Sequence, residues 1–148
     1  MKKITIQYIK SLKTNSSPFA TLTAYDYTSA QILNDAEIPL ILVGDSASMT
    51  IFGYSTTVPV SMDEMMLVVK AVTRGAKNSL VVADMPFLSY QPSVEETIKN
   101  AGLLIKEGGA SAVKIEGGTN VKEHIDALTG FGIPVLAHVG LTPQSYHQ

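Results

Sequence analysis

The sequence contains no cysteine. That excludes a disulfide framework, a thiolate metal centre and a cysteine nucleophile, and it accords with a reducing compartment. Charge is sparse as well: 16% of residues are charged, and the formal net charge is −2. Such a balance offers no electrostatic footprint for nucleic acid or an anionic membrane. No run approaches the roughly 18 apolar residues of a membrane-spanning helix. The N-terminus, MKKITIQYIKSLKTNSSPF, opens on two lysines but is interrupted by Gln7, Lys10 and Lys13, so it lacks the apolar stretch of a secretory signal. Neither GxGxxG nor GxxxxGK[ST] occurs, which leaves a nucleotide-binding open sheet without support. Internal repeats and low-complexity tracts are also missing. These absences leave a globular, cytoplasmic protein as the expectation, with no nucleic-acid or membrane partner.

What is present is a repeated pattern. The 148 residues, 45% of them hydrophobic, suffice for one domain spanning 1–148. In LILVGDSASMT (40–50) an apolar run meets Gly44 and then Asp45. VVADMPF (81–87) runs into Asp84, and AVKIEGG (112–118) runs into Glu116. Three strand-like runs thus finish in an acid, where an unpaired carboxylate is costly unless it finds a cation or hydrogen-bond donors.

Between the runs the period changes to that of helices. Residues 4–12 read as a short amphipathic helix, FATLTAY (19–25) as a strand, and Asp26 as the cap of a helix reaching Ala36. After the strand 40–44, residues 46–60 read as a long loop. Ser61 with Glu64 forms a capping-box pattern, followed by Met62, Met65, Met66, Val69 and Val72 on one helical face and a stop at Gly75. The strand 80–84 precedes a second capping box, Ser93 with Glu96, and a helix ending near Gly108. Residues 111–115 read as the fourth strand, Asn120 with Glu123 as the next helix start, Gly130 as its stop, and 133–139 as the fifth strand. Thr142-Pro143 reads as a further helix start with proline at its first position. Continuously apolar strands with helical crossovers imply a parallel sheet covered on both faces. Either an open doubly wound sheet or a β/α barrel satisfies that pattern. A recurrence of about 30 residues suits a (β/α)8 barrel, which needs roughly 250 residues, so a chain ending after its fifth strand holds an incomplete one.

In a β/α barrel the chemistry sits at the C-terminal ends of the strands. Asp45, Asp84 and Glu116 fall there, His138 ends the fifth strand, and Lys114 shares a strand face with Glu116. Oxygen ligands without thiolates suit a hard cation, Mg²⁺ before Ca²⁺ or Zn²⁺. Lys114 is placed to hold a substrate carboxylate or a developing oxyanion, or to pair with a neighbouring acid. His124 and His147 read as solvent-facing, and Met62, Met65 and Met66 as core.

In order along the chain, TAYDY (23–27), VGDS (43–46), ADMPFLSY (83–90), KIEGG (114–118) and HVGLTPQS (138–145) resemble the ketopantoate hydroxymethyltransferase family, from about Phe19 to Ser145. The resemblance implies an α/β fold, a (β/α)8 TIM barrel of the phosphoenolpyruvate/pyruvate type, with about five of its eight β/α units here. It implies transfer of a hydroxymethyl group from 5,10-methylenetetrahydrofolate to 3-methyl-2-oxobutanoate, giving 2-dehydropantoate for pantothenate and coenzyme A synthesis. It further implies Mg²⁺ and a cytoplasmic homo-oligomer, a decamer. Carried over onto matching positions, Asp45 and Asp84 look like Mg²⁺ ligands, with Glu116 completing the metal environment. Asp45, Ser46, Asp84 and Lys114 look like oxo-acid contacts, and His138 like a further one. The family's general base, a glutamate on a later strand, is expected beyond residue 148. Two alternatives stand beside this reading. One is a non-catalytic fragment that retains metal and oxo-acid binding. The other is a Mg²⁺-dependent oxo-acid lyase or phosphonomutase of the same superfamily, whose signatures differ from KIEGG and HVGLTPQS.

Overall fold

A computed structural model describes residues 2–147. Helix α1 (Ile6–Thr14) is capped by Thr5, whose hydroxyl accepts from the Tyr8 N–H. Strand β1 (Thr21–Thr23) leads to α2 (Tyr27–Asp35), capped by Asp26 as the sequence implies: its carboxylate accepts from Ser29 N–H at 2.8 Å. Strand β2 (Leu40–Val43) is followed by a short helix α3 (Ala47–Thr50) inside the segment expected to be loop. Helix α4 (Met62–Gly75) has both halves of its capping box, Glu64 N–H on Ser61 Oγ and Ser61 N–H on Glu64 Oε2. It buries Met65, Val69 and Val72 together with Val68, while Met62 and Met66 are half-buried against the same core. Strand β3 (Leu80–Asp84) and helix α5 (Val94–Lys106) follow. Ser93 caps α5 at the Glu96 N–H, which is the one half of the expected box that forms.

Strand β4 (Ala112–Glu116) lies one residue later than its sequence pattern places it. A 3-10 turn over Thr119–Val121 then takes over the start of α6 (Lys122–Gly130), so the expected Asn120 cap is not made and Val121 occupies the cap position. Strand β5 (Val135–His138) precedes a 3-10 turn over Pro143–Ser145, with Pro143 in its first turn as the sequence implies. Among the described residues no helix is long and apolar enough to cross a membrane.

All five strands are parallel and their spatial order is their chain order, β1-β2-β3-β4-β5. A doubly wound sheet reverses direction at a switch point, whereas a barrel adds each strand beside the last. The sequential order therefore decides between the two architectures left open by the sequence: this is a partial β/α barrel.

Alternation along the strands sorts the side chains. Ile41, Val43, Val81, Ala83, Val113 and Ile115 face the helices and join Met65, Val69, Val72 and Leu104 in the main core. Leu40, Leu80, Val82 and Ala112 face the other way, where Ile4, Ile6 and Ile9 of the N-terminal segment cover them. That second face is apolar over the first half of each strand. Its far half carries the polar groups.

Candidate active site

Because side chains alternate, Asp84 follows Leu80 and Val82 on the inner face. In the parallel register Asp84 stands beside Lys114, and Glu116 beside His138. Asp45 lies two residues beyond β2, and its backbone N–H donates to Asp84 Oδ2 at 3.1 Å. Lys114 Nζ donates to Asp84 Oδ1 in an ion pair whose side chains are only 13% and 4% exposed. Sequence spacing left the partner of Lys114 open, and the structure assigns it to Asp84 on the neighbouring strand. Removing one member of so buried a pair typically costs about 3–5 kcal/mol, because the other charge is left without compensation.

The rim is short of positive charge. Asp45, Asp84 and Glu116 are all buried, and among the described residues Lys114 is the one cation in contact with Asp84. Burial pushes the Asp84 carboxyl up to about 6; Lys114 opposes the shift, and the nearby Asp45 charge adds to it. Burial raises Asp45 as well, outweighing a hydrogen bond from Gln144 and the attraction of Lys114. Two adjacent buried carboxylates that resist ionisation fit a divalent hard cation, which would supply the missing charge.

The three carboxylates do not form a cage. Among the described residues no group of three His, Cys, Asp or Glu side chains converges so as to hold a metal. Glu116 is engaged elsewhere. Its Oε1 accepts the Gln144 backbone N–H at 2.6 Å, and its Oε2 lies 3.3 Å from His138 Nδ1, at ion-pair distance without hydrogen-bond geometry. The pair Asp45–Asp84 remains, which suits Mg²⁺, an ion commonly held by one or two carboxylates with waters completing its shell. Gly117, next to Glu116, has φ +133°, and a Cβ there would lie 3.0 Å from Val121. Glycine thus lets the chain turn away directly after the acid.

The other expected site residues are placed as follows. Ser46 Oγ is 2.7 Å from the Tyr25 hydroxyl, which links VGDS to TAYDY and fixes the serine at the rim. His138 stands at the end of β5 beside Glu116. His147 is exposed. His124 is not solvent-facing: its Nδ1 is 2.8 Å from the Oγ1 of the fully buried Thr97, because α5 and α6 pack side by side.

Sequence reasoning passed over Gln144 and Tyr90. Gln144 is buried, and its Nε2 donates to Asp45 Oδ2 at 2.8 Å and to the Met85 carbonyl at 2.9 Å. Tyr90, also buried, places its hydroxyl 2.8 Å from Gln144 Oε1 and 3.0 Å from the Glu116 carbonyl. The low-dielectric setting and the neighbouring acids raise its phenol far above the ordinary value, so it stays a proton donor. Both residues sit inside the motifs ADMPFLSY and HVGLTPQS, which is the signal that could have found them.

The family model described as ketopantoate hydroxymethyltransferase matches residues 3–148. A 3-methyl-2-oxobutanoate hydroxymethyltransferase of Dehalococcoides mccartyi is 51% identical over 99% of this chain and 52% of its own length. Proteins of the same name from Frankia casuarinae and Mycobacterium leprae are 50% and 51% identical, over 98% and 97% of this chain and 49% and 50% of theirs. The chain spans about half the length of the curated relatives it matches. Among solved structures, 2,3-dimethylmalate lyase, a PEP mutase/isocitrate lyase superfamily member, superposes with a TM-score of 0.66 at 16% identity, over 88% of this chain and 51% of that one. At that identity the likeness concerns the fold alone.

Proposed function

The chain belongs to the ketopantoate hydroxymethyltransferase family, and from that premise we propose that it carries the metal- and oxo-acid-binding rim of an enzyme that hydroxymethylates 3-methyl-2-oxobutanoate. The single observation that carries the reading is the buried Asp45–Asp84 pair with Lys114 against it. Asp45 and Asp84 would hold Mg²⁺, which supplies Lewis-acid polarisation of a 2-oxo group when bound. Lys114 adds a nearly buried ammonium at the same place, suited to the oxo-acid carboxylate or to negative charge developing on the 2-oxo oxygen. Ser46, held by Tyr25, offers a hydroxyl beside Asp45, and His138 offers a further contact beside Glu116.

In the proposed reaction the C3–H bond of the oxo acid breaks and C3 bonds to the methylene carbon of 5,10-methylenetetrahydrofolate. Water supplies the hydroxyl, tetrahydrofolate leaves, and 2-dehydropantoate is the product. The proton acceptor at C3 is assigned to none of the residues described, in keeping with a base on a later strand. A cytoplasmic homo-oligomer, a decamer by family likeness, is part of the proposal. A second reading is metal and oxo-acid binding by these residues without turnover.

Proton NMR of 3-methyl-2-oxobutanoate in D₂O tests both. Mg²⁺-dependent broadening of its methyl signal by the chain, lost in Asp84→Ala, is the expected result. Loss of the C3 proton signal under the same conditions distinguishes the enolising enzyme from the binding fragment. Neither broadening nor exchange above a Mg²⁺-only control would overturn the reading.

A further inference from the structure

Gln144 uses every hydrogen-bonding atom of its side chain. Its two N–H bonds serve Asp45 Oδ2 and the Met85 carbonyl, and its Oε1 accepts from Gln91 Nε2 at 3.1 Å and faces the Tyr90 hydroxyl at 2.8 Å. The amide orientation follows from chemistry, because the Met85 carbonyl can only accept. The backbone N–H of the same residue donates to Glu116 Oε1 at 2.6 Å. One residue therefore ties the loop after β2, the end of β3 and the end of β4 to the turn beyond β5. Its partners lie 99, 59 and 28 positions away in sequence.

We propose that Gln144 is a positioning residue for the cation site: its amide fixes one oxygen of Asp45, and its backbone N–H keeps Glu116 turned from the Asp45–Asp84 pair. The inference rests on the reading of that pair as the Mg²⁺ site. A packing role would ask only for a side chain of this length. Positioning asks for the two N–H donors. Met retains the length without any donor, and Glu retains the size and the acceptor but presents oxygen to Asp45.

The test is Mg²⁺ titration of the wild-type chain, Gln144→Met, Gln144→Glu and Asp45→Asn by calorimetry. Alongside it, the Gln144 side-chain amide is followed by ¹H–¹⁵N NMR, its signal assigned from its loss in Gln144→Glu. The expected result is Mg²⁺ affinity weakened about 10–100-fold in both Gln144 variants, the usual effect of losing an outer-shell partner. In the wild type the amide signal should shift and saturate at the Mg²⁺ concentrations that saturate the calorimetric signal. Gln144→Met with wild-type affinity, or an amide signal unmoved at saturating Mg²⁺, overturns the positioning role while leaving the cation site standing. The NMR readout decides even where Gln144→Met fails to fold. A wild-type chain that takes up no Mg²⁺, or an Asp45→Asn variant that binds it unchanged, overturns the cation site and the inference with it.

Discussion

Replacing Asp84 by Asn and following stability against pH tests the charge deficit of the rim. Burial raises the Asp84 carboxyl from 3.8 to about 6 in the folded chain. Between those values the folded protein holds a proton that the unfolded chain has released, so stability falls as pH rises. The contribution of the neutral acid is complete below pH 3.8 and is lost as pH climbs through about 6. A rise of about 2 pKa units at about 1.36 kcal/mol each corresponds to about 3 kcal/mol. Asn has no proton to release and removes the slope. Lys114 then lacks an ionic partner at every pH, as it does in the wild type while Asp84 is protonated, and the attraction it exerts on the ionised acid is already contained in the rise to about 6.

The assay is urea denaturation of both proteins in metal-free buffer from pH 4 to pH 7. The stability of wild type minus that of Asp84→Asn should fall by about 2.4 kcal/mol across that range, most of the total. Saturating Mg²⁺ at pH 7 should restore stability to the wild type alone, since a ligand that binds only the folded state stabilises it. A difference that stays flat to within about 0.5 kcal/mol would refute the reasoning, because the carboxylate would then ionise in the fold as easily as in the unfolded chain.

Two further predictions concern the scaffold. Asn34 at the end of α2 accepts the Asn78 N–H at 2.8 Å and lies 3.4 Å from the Ser79 N, so Asn34→Ala should cost about 1–3 kcal/mol in urea denaturation by leaving a half-buried and a buried backbone donor unpaired. Gly75 lies where α4 meets α2, and a Cβ there would stand 2.5 Å from the Tyr27 carbonyl oxygen; Gly75→Ala should cost about 1–3 kcal/mol, seen as a lowered thermal midpoint, because backbone must move to admit it.

The parts of the fold buried on both sides were the legible ones. LVVAD is a strand over the residues its apolar run marks, because each of the five is buried and the run has one interpretation. FATLTAY reads as seven strand residues but pairs over Thr21–Thr23 alone, since among the described residues β1 has one neighbour and its side chains are exposed. The Asn120 pattern failed for a local reason: the 3-10 turn ahead of α6 moves the cap to Val121. Among the site residues, Asp84, Lys114, Glu116 and His138 follow from strand period and strand end alone. Gln144 does not, because its role is set by partners on β3, β4 and the loop after β2. In the sequence it is one polar residue after a proline.

The acids at the strand ends and the donors that meet them come from different parts of the chain, and this division explains how the fold bears the deficit. Asp45 and Asp84 each follow a run whose helix-facing members, Ile41, Val43, Val81 and Ala83, are held in the main core. Packing of that density fixes the backbone whatever the charge state of the rim. The carboxylates therefore cannot relax by withdrawing the strands. They can only lose ionisation or gain a partner. Lys114 partners one oxygen of Asp84, the Asp45 N–H the other, and Gln144 one oxygen of Asp45. Each of these groups is itself anchored elsewhere in the sheet or in the turn beyond it. A site built this way keeps its unmet demand for positive charge in one place, between Asp45 and Asp84, which is where the chemistry of an Mg²⁺-bound oxo acid would need it.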